Sequence, residues 1–408
     1  MPFAKNLKEA NWLNLRRVVV YPRIFLFVCA VLGIVWGAGV HLVPHPEDAQ
    51  FTIDFLNVYT AGVTAHEGHP AEAYDWGAHQ EREQKVAQSF GEGNGLTLHE
   101  GQIPWLYPPI FLGVAWLVSF LPYFYALTIY LVAGVVAYSV SVCKLARHRA
   151  AIGAVVAFPG VYINLLAGQN GFITTALLAS GLLLLDESPI AAGMFFAALS
   201  YKPQFFVLIP LVLLVGRYWK ALAATVVSAG VYAGLSLAAF GLEPWLEFLR
   251  GLGLARAFIL ESDTNRWTGV MHTVFSMVRL YGGGAKTAYA LQTGVGLAAI
   301  MILAWIWSRR PLSLAVRGAA LVSVLFLASP YSFGYDQVVL AIPIALLARQ
   351  GVQSGFLPFE KTFLLSLWLL PLWFLDSLDH FALPITPLML AGLLLLCWRR
   401  MKVEQANN

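Results

Sequence analysis

Read from the amino terminus, the chain alternates long apolar runs with short polar breaks. Residues 24–43 form the first run, at about 20 residues enough to cross a ~30 Å hydrocarbon core as a helix. A long polar stretch follows, after which apolar segments lie at 107–121, 124–143, 151–167, 172–185, 190–201, 205–215 and 222–240. A second polar stretch, 241–285, precedes segments at 287–307, 314–329, 338–347, 362–375 and 381–398. The pattern predicts membrane-spanning helices along the whole chain, with no repeat, low-complexity tract or separate soluble domain.

The side on which each break lies follows from its charges. Residues 44–105 carry ten acidic groups (Glu47, Asp48, Asp54, Glu67, Glu72, Asp75, Glu81, Glu83, Glu92, Glu100) against two basic ones, Arg82 and Lys85, and so face outward by the positive-inside rule. Basic clusters at both ends, Lys5 to Arg23 and Arg399, Arg400 and Lys402, ask for two cytoplasmic termini and an even number of crossings. Thirteen apolar segments are one too many. Inner loops at Lys144/Arg147/Arg149, Arg217/Lys220, Arg309/Arg310, Arg349/Lys361 and Arg399/Arg400 all agree if 107–121 is re-entrant or interfacial. The alternative is a true span there with the Lys144–Arg149 cluster on the wrong side. The expectation is an all-α polytopic membrane protein with a bundle of about 12 transmembrane helices (range 10–13), one integral-membrane domain over 1–408, a first outer loop at 44–106 and a second at 241–285.

Composition sharpens this picture. The chain is 59% hydrophobic and 12% charged, whereas soluble domains run at about 45–50% apolar and about 25% charged, so a water-soluble fold is excluded. The net charge of +4 is the small difference of 26 basic and 22 acidic residues and gives no ground for a nucleic-acid partner. Cys29, Cys143 and Cys397 lie far apart in apolar runs, which predicts neither a disulfide nor a structural zinc. The first apolar run is too long for a cleaved signal and reads as a retained span.

Four polar constellations fall at outer turns on this threading. Asp54 stands in Asp54-Phe55-Leu56-Asn57-Val58-Tyr59, where an apolar interface would raise the basicity of its carboxylate and suit it to general-base work; a helix N-cap or a solvated loop acid is the plain alternative. Gln169 and Asn170, after Gly168, could hydrogen-bond a polyhydroxyl substrate or form an ordinary turn. Lys202, before Pro203, is the only basic residue between Arg149 and Arg217; a lipid phosphate would satisfy it, and so would snorkelling to the interface. Tyr335-Asp336, after Ser329-Pro330-Tyr331-Ser332, offers a second carboxylate or a helix start. Tyr107, before Pro108-Pro109, is an interfacial aromatic that could equally stack on a sugar; Arg266-Trp267 with His272 reads as interface anchoring or, through Arg266, as a second phosphate contact.

Taken together, D-F-x-x-x-Y (Asp54 to Tyr59), Y-P-P (Tyr107 to Pro109), G-Q-N (Gly168 to Asn170), K-P (Lys202, Pro203) and S-P-Y-S-F-G-Y-D (Ser329 to Asp336) resemble glycosyltransferase family 87, the polyprenol-phosphate-mannose-dependent mannosyltransferases of the GT-C superfamily. The order and spacing of these strings carry the resemblance, which is weakest at 241–285 and after Leu347. It implies a GT-C-type bundle in the plasma membrane, of the bacterial inner-membrane kind, with an active site on the outer, periplasmic side. Asp54 matches the family's catalytic aspartate by position. Family members often carry a histidine after the S-P motif, where this chain has Tyr335-Asp336.

The implied reaction is an inverting transfer of a sugar, mannose first among the candidates and arabinose or another hexose behind it, from a polyprenyl-phosphate donor to a lipid or glycan acceptor. Asp54 would be the base, Lys202 and Arg266 the donor-phosphate contacts, and Tyr59, Tyr107, Gln169, Asn170, Tyr335 and Asp336 the substrate contacts. No cofactor is expected; the absence of D-x-D fits a monophosphate leaving group without a metal. A secondary transporter is the main alternative. An oligosaccharide ligase or polymerase with a polyprenyl-diphosphate donor is another, on the strength of Arg250, Arg256, Arg266 and Arg279.

Overall fold

The computed structural model describes residues 2–42, 54–89, 104–262, 267, 269–373 and 385–407. Among them the regular structure is helical, and the single β contact is an isolated antiparallel bridge between Met271 and Phe333. The helices are α1 (Pro2–Glu9), α2 (Leu15–Leu42), α3 (Phe55–His66), α4 (Trp76–Gln88), α5 (Pro109–Val118), α6 (Tyr123–Ala146), α7 (Ala151–Val156), α8 (Pro159–Ala167), α9 (Gly171–Leu184) and α10 (Pro189–Ala198). They continue with α11 (Pro203–Phe206), α12 (Leu208–Val215), α13 (Trp219–Phe240), α14 (Glu243–Ile259), α15 (Val274–Leu280), α16 (Ala285–Ser308), α17 (Leu314–Ala328), α18 (Ala341–Ser354), α19 (Glu360–Leu369) and a final helix, Ile385–Asn407. Short 3-10 turns at Pro70–Tyr74, Leu199–Tyr201 and Gly334–Leu340 complete the path.

Among the described residues four helices are long and apolar enough to cross a bilayer: Leu15–Val35 within α2, α6, α13 and α16. They expose Phe27, Ile34, Val136, Val227, Leu297 and Met301, side chains that only a lipid solvent makes inexpensive to leave outside. Among the described residues several further apolar helices run to only 10–17 residues, so the bundle of about 12 transmembrane helices expected from the sequence is matched by four long helices and a set of short ones. Proline is the physical reason. Residues 151–167, expected as one segment, break into α7 and α8 at Pro159, which has no N–H to donate and holds Phe158 extended at ψ 125°. Prolines also open α5, α10 and α11. Helix α5 has ten residues, about 15 Å by helical rise and half a hydrocarbon core, which is the length a re-entrant 107–121 requires.

The core centres on α17, whose residues are buried from Ala315 through Leu327. It packs against the final helix, α16 and α18. Away from it, Arg400 and Glu360 form a buried pair, the guanidinium Nε donating to Glu360 Oε1 at 2.8 Å, and Glu404 accepts from the Ser313 N–H and hydroxyl at 2.8 and 2.6 Å. These bonds clamp the last helix to the ends of α17, α18 and α19. A second apolar cluster, built by α3, α4, α5, the 70–74 turn, the start of α6 and Tyr201, stands beside the main core and carries Asp54 at its edge. Helix α3 meets α5 at Gly62, where a Cβ would lie 2.0 Å from the Ala115 carbonyl oxygen.

That contact predicts that Gly62→Ala forces α3 off α5 and costs about 1–3 kcal/mol, read as a lower Tm in detergent. Gly113→Ala, on α5 with nothing within 4 Å of its Cβ, is the control and should leave Tm unchanged or raised.

Candidate active site

Asp54 occupies the N-cap position of α3, yet its carboxylate makes no capping bond. It turns instead to the α8–α9 turn, where Oδ2 accepts from Gln169 Nε2 at 3.0 Å, while its backbone N–H donates to the Ala167 carbonyl at 2.9 Å. The N-cap alternative is thereby removed, and the contact joins residues 115 positions apart.

The turn is rigid for reasons visible in its sequence. Gly168 adopts φ +66°, a left-handed conformation that closes α8. Asn164, fully buried, clasps the turn from both sides: its Nδ2 donates to the Gln169 carbonyl at 2.9 Å and its Oδ1 accepts from Gly171 N–H at 2.9 Å. Gly171 must be glycine because a Cβ there would sit 2.7 Å from the Tyr335 carbonyl. Gln169 Oε1 accepts from the Tyr107 hydroxyl at 3.2 Å, so its amide points one way and its Nε2 faces Asp54. Tyr107 is set in turn by a bond from the Tyr74 hydroxyl to its carbonyl, 3.0 Å, and by rings of Trp105 and Phe111 at 5.0 and 4.8 Å.

Burial pushes the Asp54 carboxyl up to about 6; the Gln169 bond opposes the rise and the charge of Glu83 adds to it. Its surface is half-buried, which leaves a way in for a hydroxyl. Burial also pushes the Tyr107 phenol well above its ordinary range, with the Asp336 and Asp54 carboxylates acting in the same direction. The Asn170 amide lies close to the Tyr107 hydroxyl, but among the described residues neither of its polar atoms completes a hydrogen bond of proper geometry. A fully buried amide with both atoms unspent is costly and points to an exogenous polar partner.

Lys202 and Asp336 arrive together. Lys202 Nζ donates to Asp336 Oδ1 at 2.6 Å, with side-chain exposures of 2% and 1%, so the lysine is neither snorkelling nor awaiting its first anion. The ammonium also lies 4.8 Å from the Tyr335 ring centroid and 5.6 Å from that of Phe205. Asp336 Oδ2 accepts from Phe333 N–H at 3.3 Å, so this carboxylate closes a helix start and holds a cation at once. Tyr201 links the two halves, its hydroxyl 2.6 Å from Thr174 Oγ1 and 3.4 Å from the Asn170 carbonyl.

Six of the nine residues expected at the site thus converge through direct bonds or near contacts: Asp54, Tyr107, Gln169, Asn170, Lys202 and Asp336. Tyr335 joins them as a ring under the lysine. Tyr59 does not; its hydroxyl donates to the Leu121 carbonyl at 3.0 Å and its ring packs on Tyr123. Arg266 lies outside the described residues. His272, expected as an interface anchor, is instead buried: its backbone N–H donates to the Ser332 carbonyl at 2.9 Å, its Nδ1 meets Thr386 Oγ1 at 3.3 Å, and desolvation lowers its imidazole to about 4, hence neutral. It therefore reaches the segment after the S-P motif from elsewhere in the chain. Sequence reasoning missed Asn164 and the group beside α3 formed by half-buried Asn57 with buried His79 and Glu83; the i, i+4 spacing of His79 and Glu83 was the available signal.

A groove of about 1210 Å³ opens between α5, α6, α9 and α10. Val114, Val118, Ile129, Ile173 and Leu177 line it, and Lys144, Arg147 and Glu187 stand at its far end. Tyr130 lines it near the site, its ring 5.0 Å from that of Phe55, the residue after Asp54. Among the described residues no group of three His, Cys, Asp or Glu side chains is placed to share a metal ion.

The apolar helices mark a membrane protein, and within it the bonded carboxylates and the unspent Asn170 amide lie together beside an apolar groove. Residues 105–330 match the family model of glycosyltransferase family 87, and the chain belongs to that family. No curated protein and no solved structure matches it. It is a membrane glycosyltransferase.

If the Gln169 amide holds Asp54 ionised, Gln169→Ala should raise the carboxyl above about 6. The infrared carboxyl band that disappears in Asp54→Asn reports the shift; an unmoved midpoint would show the bond to be incidental.

Proposed function

We propose that the protein transfers a sugar, mannose first among the candidates, from a polyprenyl-phosphate donor to a hydroxyl of a lipid or glycan acceptor at the outer face of the membrane, with inversion at the anomeric carbon. The observation that carries this reading is Asp54: a half-buried carboxylate, raised to about 6, held by Gln169 rather than spent on its own helix. A base for a hydroxyl needs that combination of raised basicity, fixed aim and residual access. In the step itself the acceptor O–H proton goes to Asp54 as the oxygen bonds to the anomeric carbon. The anomeric C–O bond breaks on the opposite face, and its electron pair leaves with the polyprenyl phosphate.

Lys202 is suited to meet that phosphate. An ammonium has three donors, of which Asp336 takes one, so the pair keeps the cation in place inside an apolar setting while donors are left for the leaving group. Asn170 supplies an amide for sugar hydroxyls, and Tyr107 and Tyr335 supply ring faces. The groove between α5, α6, α9 and α10 suits an isoprenoid chain entering from the bilayer. With both termini cytoplasmic, the acidic segment after the first span and the site it carries face outward.

The transporter alternative falls with the family match. Of the arginines on which the polyprenyl-diphosphate alternative rests, Arg266 lies outside the described residues and the other three have partners within the chain. Arg256 is held by Glu261 at 3.2 Å, Arg250 by Glu247, and Arg279 by the carbonyls of Ser262 and Gly283.

Three outcomes test the reading with radiolabelled polyprenyl-phosphate mannose in nanodiscs. Asp54→Asn should lose about 10²- to 10⁴-fold in turnover while keeping its Tm; near-normal transfer would remove Asp54 from the role. In the wild type, kcat/KM should fall about tenfold per unit as pH drops below about 6, because protonation removes the base, and level off above it. Lys202→Met alone would strand Asp336 and cost about 3–5 kcal/mol. The double change Lys202→Met with Asp336→Asn removes both charges, and should fold yet bind donor about ten- to a hundredfold more weakly, the worth of one charge-assisted bond.

A further inference from the structure

Helix α4 is polar in sequence, yet it buries two ionisable side chains. His79 and Glu83, one turn apart, have side-chain exposures of 1% and 2%, and His79 Nε2 stands 3.5 Å from Glu83 Oε1, too far for a good hydrogen bond. Asn57, on the first turn of α3, meets His79 Nε2 at 3.1 Å through its side chain, and its backbone N–H donates to the Asp54 carbonyl at 3.2 Å. His79 Nδ1 and Glu83 Oε1 are buried with no hydrogen-bond partner among the described residues. An apolar pair would fill this space at less cost, so the expense of desolvating a carboxylate and an imidazole here calls for a use.

We propose that His79 and Glu83 form a positioning pair for Asp54: through Asn57 they brace the first turn of α3, and the charge they hold together sets the strength of Asp54 as a base. The proposal rests on Asp54 being that base. Glu83 places a negative charge near Asp54 and favours proton uptake there. Burial and Glu83 act on Asp54 in the same direction. Of the ionisable groups on neighbouring elements, Asp54 and Tyr123 feel the Glu83 charge directly, while Tyr59 lies on α3 and Glu72 and Tyr74 on the 70–74 turn, both of which pack against α4. Arg82, the neighbouring cation on α4, is engaged by Glu67 and Glu72.

Two readouts on the full chain in nanodiscs separate this role from a structural one. The infrared carboxyl titration assigned to Asp54 by its loss in Asp54→Asn should have its midpoint lowered by about one unit in Glu83→Gln. The acidic limb of the rate profile should move the same way, with a lower plateau, and Glu83→Asp should recover part of both. An unchanged Asp54 midpoint in folded Glu83→Gln overturns the proposal, whatever happens to Tm. If Glu83→Gln does not fold, the apolar double variant His79→Leu with Glu83→Met is read by the same midpoint. The infrared result stands without sugar transfer: a shifted midpoint in a protein inactive on the polyprenyl-phosphate donor would leave the pair intact and refute the donor assignment.

Discussion

The tie between Asp54 and the α8–α9 turn is the constraint from which the rest of the site follows. Two hydrogen bonds, one from the Asp54 backbone to Ala167 and one from Gln169 to its carboxylate, fasten the segment after the first span to the middle of the bundle. Without them Asp54 would be one acid among ten in a polar stretch, as its sequence neighbourhood suggests. With them it has a direction, a partner and a partly dry environment. Everything that shapes the turn therefore acts on Asp54: the left-handed Gly168, the Asn164 clasp, and the Tyr107 hydroxyl that orients the Gln169 amide.

Among the described residues, two buried charges are matched by a buried partner of opposite sign. Lys202 with Asp336 and Arg400 with Glu360 are both buried to a few per cent or less, and in each case the carboxylate has a second bond, to the Phe333 N–H or the Leu357 N–H. Buried pairs of this kind are poor sources of stability, because desolvation cancels most of the attraction. Their value is geometric. Arg400–Glu360 fixes the last helix, whereas Lys202–Asp336 brings the break before α11 and the Gly334–Leu340 turn together at the α8–α9 turn.

Most residues of the candidate site were legible in the sequence because polar residues are conspicuous in a chain that is 59% hydrophobic. Gln169-Asn170, Lys202 and Asp336 each interrupt an apolar run, and their convergence follows once alternating segments return to the same face. Three things were not legible, each for a physical reason. Helix lengths were overestimated because an apolar run such as 151–167 carries no hydropathic mark of the break that Pro159 imposes. His79 and Glu83 were hidden because a polar helix reads as solvated until a neighbour covers one face. The partner of Lys202 was missed because a separation of 134 residues leaves no local trace.

The broken helices explain why such a site can exist in a membrane protein at all. An intact helix satisfies its own backbone and presents only side chains, whereas a helix that stops inside the bundle exposes N–H and C=O groups that must be met. Here those ends are met by the site's own residues: Asn164 at Gly171, Asp336 at Phe333, and the Ala167 carbonyl by Asp54. Two of those residues, Asp54 and Asp336, lie outside the stretch that matches the family, 105–330, yet each is bonded to a residue within it. The family-matched middle of the chain thus supplies the holders, and the two flanks supply the carboxylates. Neither part holds the candidate site without the other, so that site reaches past the matched residues to Asp54 on one side and to Asp336 on the other.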